Sequence, residues 1–172
     1  LDRRSYESNI FNNSDSNIEI IKSISPSKEF IIISHGFAGS KEMMRQIAYD
    51  IANAGSNAVL FDFIGHGSNQ QKLVNQPAEI TGTTQQLVAQ LSDIIKSIYE
   101  KFGNEISISL VGHSMASDIV IRASADERIK SVVAISPYSN GITPDFPKDL
   151  LLISGQFENH LRSHALKMVK TF

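Results

Sequence analysis

Ser114 is the residue of this chain best placed for nucleophilic chemistry. It lies midway between Gly112 and Ala116 in the pentapeptide Gly-His-Ser-Met-Ala. A β-rich run, residues 106–111, leads into the pentapeptide, and a helical pattern follows it. A serine at the tip of a tight strand-to-helix turn holds its hydroxyl exposed, and the positions two before and two after it must be small to avoid a collision across the turn. The pattern therefore predicts a serine that attacks a carbonyl carbon.

A pentapeptide of this kind occurs by chance in many chains, so the surrounding sequence decides whether Ser114 is a candidate nucleophile. Three other apolar runs also end in polar or glycine-containing breaks. The four breaks are His35-Gly36-Phe37, Gly65-His66-Gly67, Gly112-His113-Ser114 and Gly155-Gln156-Phe157-Glu158. In an open parallel sheet, reactive groups gather beyond the carboxyl ends of the strands. We therefore expect these breaks to meet at one edge of a sheet.

Strand and helix patterns alternate along the chain. Continuous apolar runs are typical of strands buried on both faces, and a repeat of three to four residues indicates helices. Strands are predicted at residues 30–33, 58–63, 106–111, 130–135 and 149–153, and helices at 41–54, 83–102, 115–123 and 159–169. Ser40 is a candidate N-cap and Gly55 a candidate stop for the first helix. Residues 18–21 alternate as an antiparallel edge strand would. The order predicts an α/β fold, a mostly parallel sheet with helices on both faces.

The bulk composition fits one globular domain. Of the 172 residues, 41% are hydrophobic, which is enough for a core without metal or disulfide support. The formal net charge is −2, and no basic cluster extends beyond Arg3 and Arg4, so nucleic acid is not an expected partner. The absence of cysteine excludes disulfides and thiol nucleophiles but leaves the compartment open.

The sequence shows neither a membrane span nor a signal peptide in its first residues. No apolar run approaches the ~20 residues of a membrane span, and the first residues lack the apolar core of a signal peptide. Because the chain starts without methionine, we expect it to be a piece of a longer product. We divide it into an N-terminal edge segment, residues 1–27, and a core, residues 28–172.

The four breaks together resemble the α/β-hydrolase family. Residues 34–37 are similar to its oxyanion-loop motif, and residues 62–67 to the Asp-x-x-Gly-x-Gly loop after the next strand. The resemblance covers roughly residues 28–170. It implies a serine hydrolase that acts on ester or related acyl bonds of a small substrate through an acyl-enzyme, with no cofactor and no metal. Residues 36–40 and 112–119 resemble a bacterial subgroup that is sometimes joined to membrane-spanning segments.

The resemblance also implies roles for particular residues. The backbone N–H groups of Phe37 and Met115 would stabilise the oxyanion, each by ~3 kcal/mol in the transition state. Glu158 would be the acid of the triad, since it lies three residues past Gly155. The plainer interpretations are that His35 and Gly36 only turn the chain and that Glu158 is a solvated loop carboxylate. Asp145 and Asp149 are less well placed for the acid. Asp145 lies between prolines, and Asp149 begins a strand.

The general base of the triad is the missing element. In this family a histidine follows a further strand, so we expect it beyond Phe172 and the core to be C-terminally incomplete. His113 neighbours Ser114 but lies on a strand turn, and His160 and His164 lie on a helix, so none is where a base should be. Loss of catalysis, which would leave a binding or scaffolding module, is the alternative. Truncation is favoured because the turn and both oxyanion donors are intact.

Two further expectations concern ligand binding. A dinucleotide-binding domain is excluded, because Gly36 and Gly39 do not form the Gly-x-Gly-x-x-Gly frame after the first buried strand. Only about ten residues join Ser136 to Asp149, too few for a large cap. We therefore expect an open, shallow cleft.

Overall fold

The computed structural model describes residues 7–13, 16–73, 80–138 and 149–169, and these form one seven-stranded sheet. The strands are β1 (Ser8–Asn13), β2 (Ser16–Ile21), β3 (Glu29–Ser34), β4 (Asn57–Leu60), β5 (Ser107–His113), β6 (Ile129–Ile135) and β7 (Leu150–Ile153). Their spatial order is β1-β2-β4-β3-β5-β6-β7. Strands β3 to β7 are parallel, whereas β1 and β2 are antiparallel and close one side. The predicted mostly parallel sheet is confirmed.

Helices cover both faces of the sheet. They are α1 (Arg45–Asn53), α2 (Ile80–Phe102), α3 (Met115–Ala123) and α4 (Asn159–Val169). Successive side chains of a strand point to opposite faces. In β5, Leu110 accordingly joins the core under α2 and α3, and Val111 joins the core under α1. Each fully buried leucine or valine of these two cores contributes about 1.5–3 kcal/mol, so both layers hold the central strands in place.

The start of α1 differs from the sequence prediction. A short 3₁₀ helix, Lys41–Met44, precedes α1, and the Ser40 side chain makes no capping hydrogen bond. The carboxylate of Asp62 accepts the Lys41 N–H instead, at 2.7 Å. Ser40 does take the N-cap position, with an extended backbone, but a carboxylate from the loop after β4 satisfies the first N–H in place of the Ser40 side chain. Gly55 does end the helix, with a φ of 99° that suits glycine.

The N-terminal segment contains one more strand than the sequence predicts. Strand β1 pairs with β2 along its whole length and forms the edge of the sheet. Residues 18–21 therefore lie one strand inside the edge, which corrects their predicted position. Ile18 and Ile20 are buried because β2 lies between β1 and β4.

At the other side of the sheet, part of the α1 face is uncovered among the described residues. Leu151 and Ile153 of the edge strand β7 are 55% and 44% exposed. Their register partners in β6 are Val133 and Ile135, which are only partly buried. An apolar stripe of this kind beside an open strand edge has room for a further packed segment. None of the helices in the described ranges combines the length and apolarity that a bilayer span requires.

Candidate active site

Ser114 occupies a strained turn between β5 and α3. Its φ and ψ are 54° and −118°, a combination that side-chain-bearing residues rarely adopt and that costs about 1–3 kcal/mol. The Ser114 N–H donates to the Ile135 carbonyl at 2.9 Å, which fixes the turn to β6. Helix α3 begins with the next residue, Met115. Because β5 ends at His113, Ser114 lies at the carboxyl edge of the sheet, and its side chain is only partly buried.

Close packing explains why the residues two before and two after Ser114 are small. A β-carbon on Gly112 would lie 2.7 Å from the carbonyl carbon of Ala116 and 2.7 Å from Cγ2 of Val120. Ala116 itself is fully buried. Contacts this short do not occur in folded proteins, so only a hydrogen atom fits at position 112. The turn therefore requires the spacing that the sequence contains.

The loop after β3 lies directly against Ser114. A β-carbon on Gly36 would lie 3.2 Å from the Ser114 Cβ. The Gly36 carbonyl accepts the Gly39 N–H at 3.1 Å and the Nδ1–H of His35 at 2.8 Å. In a trans peptide the carbonyl and the following N–H point in opposite directions. The Phe37 N–H therefore faces away from His35 and remains available as a donor.

His35 is buried and fixed as one tautomer. The Phe63 N–H donates to Nε2 of His35 at 3.1 Å, so Nε2 carries a lone pair and Nδ1 carries the proton that reaches Gly36. Burial lowers the pKa of His35, although the bond to the Gly36 carbonyl raises it in part. The imidazole is therefore neutral at pH 7. It orients the Gly36–Phe37 peptide and takes no proton from Ser114.

Asp62 ties the two loops beside Ser114 together. Its carboxylate accepts the Lys41 N–H at 2.7 Å and both the N–H and the hydroxyl of Ser68, at 3.0 and 2.8 Å. Burial raises the pKa of Asp62, but these hydrogen bonds more than offset it, so the net shift is downward. The ionised carboxylate is the form that holds the loops.

Glu158 follows β7 and is held by two donors. The Gly155 N–H donates to its Oε2 at 2.8 Å, and the Ser136 hydroxyl lies 2.9 Å from both carboxylate oxygens. The hydrogen bond from the Gly155 N–H lowers the pKa of Glu158 most, and the hydrogen bond from the Ser136 hydroxyl lowers it next. The electrostatic interaction with His113 makes a smaller contribution in the same direction. The stability that this shift supplies is present above the ordinary glutamate pKa and is lost as the pH falls through the lowered value.

Ser136 is a site residue that the sequence analysis missed as a partner of Glu158. It has a φ of 49°, and its N–H donates to the Ile153 carbonyl at 2.7 Å. No local pattern marks it, because the contact joins residues that lie 22 positions apart. Only the pairing of β6 with β7 brings the two residues together.

Removal of the Ser136 hydroxyl is expected to raise the pKa of Glu158. The S136A variant loses one of the two hydrogen bonds to the ionised form, while Gly155 keeps the other, so the pKa should move part of the way back to its ordinary value. A carbon-detected NMR titration of the glutamate carboxyls measures it. The S131A variant is the matched control, since the Ser131 hydroxyl bonds to Ser109 on the same sheet. An unchanged Glu158 pKa in S136A would contradict the assignment.

The structure does not bring a histidine onto Ser114. Among the described residues, no histidine nitrogen forms a hydrogen bond with the Ser114 hydroxyl. His160 and His164 lie on α4 with their ring centroids 4.8 Å apart, and His164 packs against Tyr138 at 5.3 Å. Asp149 precedes β7 and lies at the opposite end of that strand from Glu158. Asp145 and the short connection of residues 139–148, on which the prediction of an open cleft depends, lie outside the described residues.

A cleft of about 1110 Å³ lies at the opposite end of the sheet. Its lining includes Phe30, Asn57 and Ile106, which lie where β3, β4 and β5 begin, and Phe102 at the end of α2. The groups described above lie where these strands end. The cleft therefore lies away from these groups, and the carboxyl edge remains the candidate site despite the size of the cleft.

The mostly parallel sheet, helices on both faces and the strand-to-helix turn at Ser114 are the architecture of an α/β hydrolase. The model of one hydrolase family, described as serine aminopeptidase S33, matches residues 25–169. The chain belongs to this family. No curated protein sequence matches the chain.

Solved structures agree with the fold. A dienelactone hydrolase from Anabaena variabilis has a TM-score of 0.77 at 14% identity, with 98% of this chain and 82% of that chain covered. An α/β serine hydrolase without a lid from Xanthomonas campestris has a TM-score of 0.76 at 14% identity, with 96% and 80% covered. A thermostable carboxyl esterase from Bacillus coagulans has a TM-score of 0.61 at 13% identity, with 79% of this chain covered. The chain spans only 46% of that esterase.

Proposed function

We propose that the protein is a serine hydrolase of carboxylic esters or related acyl bonds, with Ser114 as the nucleophile. The Ser114 oxygen attacks the acyl carbon, and the N–H groups of Phe37 and Met115 stabilise the oxyanion of the tetrahedral intermediate. Collapse of the intermediate expels the alcohol and leaves an acyl-enzyme, which water hydrolyses. Glu158 is the acid that orients the base. Membership of a hydrolase family supports the general class of activity.

The observation that carries the proposal is the juxtaposition of Ser114 with Gly36. These residues come from two separate strand ends, yet a β-carbon on Gly36 would almost touch the Ser114 Cβ. The hydrogen bond from His35 fixes the Gly36–Phe37 peptide and leaves the Phe37 N–H free. Strained backbone at Ser114 is the second support, because such strain persists where function requires it.

We propose further that the general base comes from a segment outside these 172 residues. The described residues place no histidine on Ser114, while the open edge of β7 and the exposed Leu151 and Ile153 offer a surface for a further strand and helix. A serine without its base is a weak nucleophile. The 172-residue chain is therefore expected to react slowly, and a chain that includes the missing segment is expected to react fast.

Covalent labelling tests the proposal. Both chain lengths are treated with a fluorophosphonate, and the modified residue is mapped by mass spectrometry. We expect labelling at Ser114, faster in the extended chain by a factor of at least about 100, the contribution typical of a general base. Labelling at another residue, or at none in either chain, would reject the nucleophile and favour a binding module on the same fold.

A further inference from the structure

Two large apolar side chains are exposed on the segment after β3, which carries the proposed oxyanion donor and approaches Ser114 at Gly36. Phe37 is 61% exposed and Met43 69% exposed. The ring of Phe37 makes an edge contact with the ring of His66, with centroids 5.7 Å apart. The Met43 sulfur would lie 3.3 Å from a β-carbon on Gly39, so it packs close to the loop. We call Phe37 and Met43 the apolar ledge.

The charged groups behind the ledge are paired with each other. Arg45 donates two hydrogen bonds to Glu19, at 2.8 and 2.9 Å, and two to Glu42, at 2.7 and 2.6 Å. Lys41 lies 3.9 Å from the same Glu19 carboxylate. Glu19 is only 5% exposed. A cationic ligand would have to break these bonds to gain a carboxylate partner here.

Two further carboxylates at this edge are also occupied. Asp62 is 5% exposed, and its oxygens accept hydrogen bonds from Lys41 and Ser68. Glu158 accepts hydrogen bonds from Ser136 and Gly155. A substrate with a free α-ammonium needs a carboxylate to replace the hydration of its charge. Among the described residues, Glu19 and Asp62 are buried, and Asp62 and Glu158 already accept hydrogen bonds from internal donors.

We propose that the site takes esters whose acyl chain is apolar and uncharged, with that chain lying on the apolar ledge. The proposal rests on the proposed function. An acyl carbon bonded to Ser114, with its oxygen at the Phe37 N–H, places the first methylenes beside the Phe37 side chain. Each methylene removed from water there strengthens binding up to about fourfold. A peptide with a free α-amino group, the substrate of an aminopeptidase, gains no unoccupied carboxylate among the described residues of this edge.

Hydrolysis of matched p-nitrophenyl esters tests the substrate class in both chain lengths. Isobutyryl and alanyl esters differ only by a methyl group in place of the ammonium. We expect kcat/KM to be at least tenfold higher for the isobutyryl ester, and roughly 100-fold higher for octanoyl than for acetyl. M43Q should reduce the octanoyl-to-acetyl ratio several-fold. The control I24Q changes an exposed residue at the opposite end of the sheet and should leave the ratio unchanged. Preference for the alanyl ester would overturn the proposal.

A binding measurement separates this proposal from the proposed function. In the S114A variant with ¹³C-labelled methionine methyls, methyl octanoate should shift the Met43 signal, whereas alanine methyl ester should not. This readout needs no catalysis. If methyl octanoate shifts the Met43 signal but Ser114 is never labelled, the proposed hydrolase function is rejected and acyl binding at the apolar ledge is retained. If Ser114 is labelled but the Met43 signal does not shift, the proposed hydrolase function is retained and acyl binding at the apolar ledge is rejected.

Discussion

Replacement of Ser114 by glycine is expected to abolish fluorophosphonate labelling and ester hydrolysis while making the protein more stable. Activity is lost because the nucleophilic oxygen is gone. Stability rises because a φ of 54° with a ψ of −118° is strained for serine and accessible to glycine. Relief of this strain, less the backbone entropy that glycine loses on folding, leaves a gain of about 1 kcal/mol. Urea unfolding of both proteins measures it as a shift in midpoint at constant slope.

The S114A variant is the matched control. Alanine removes the same oxygen, so labelling disappears equally, but its β-carbon keeps the backbone strain. We therefore expect S114A to be less stable than S114G by about 1 kcal/mol or more, which corresponds to roughly 2–4 °C in melting temperature for a chain of this size. Equal stability of the two variants would show that the turn stores no strain.

Local patterns in the sequence predict the central elements of the fold. The bounds of α3 and α4 agree with residues 115–123 and 159–169, because a glycine-containing break precedes each apolar repeat. The small residues around Ser114 are also predictable, since the turn itself imposes them. Elements of this kind depend on neighbours within about four residues, and such information is contained in a single sequence.

Features that depend on pairing between distant strands are not predictable in the same way. Strand β1 is rich in asparagine and serine, and only its register with β2 makes it a strand. Strand β4 ends at Leu60, whereas the predicted strand continues to Phe63. Phe61 and Phe63 are fully buried without being paired in the sheet, because burial and strand pairing are separate properties. The contact of Ser136 with Glu158 likewise exists only once β6 and β7 lie side by side.

Addition of one methyl group at Gly112 is expected to unfold the turn around Ser114. In G112A the new β-carbon would lie 2.7 Å from the Ala116 carbonyl carbon, and this atom belongs to the backbone of α3 and cannot rotate away. Either α3 or β5 must shift, at a cost of about 3 kcal/mol. Because Ser114 lies between them, its labelling rate should fall at least 100-fold, as expected when a reacting group is displaced by about 1 Å.

The G103A variant distinguishes crowding from backbone conformation. A β-carbon on Gly103 would have no neighbour within 4 Å, but its φ of 87° is unfavourable for alanine, so we expect a loss of only about 1 kcal/mol and an unchanged labelling rate. Urea unfolding and fluorophosphonate kinetics on the two variants measure both quantities. If G112A lost no more stability than G103A and labelled at the normal rate, the close approach of β5 to α3 would not be what holds Ser114 at the edge of the sheet.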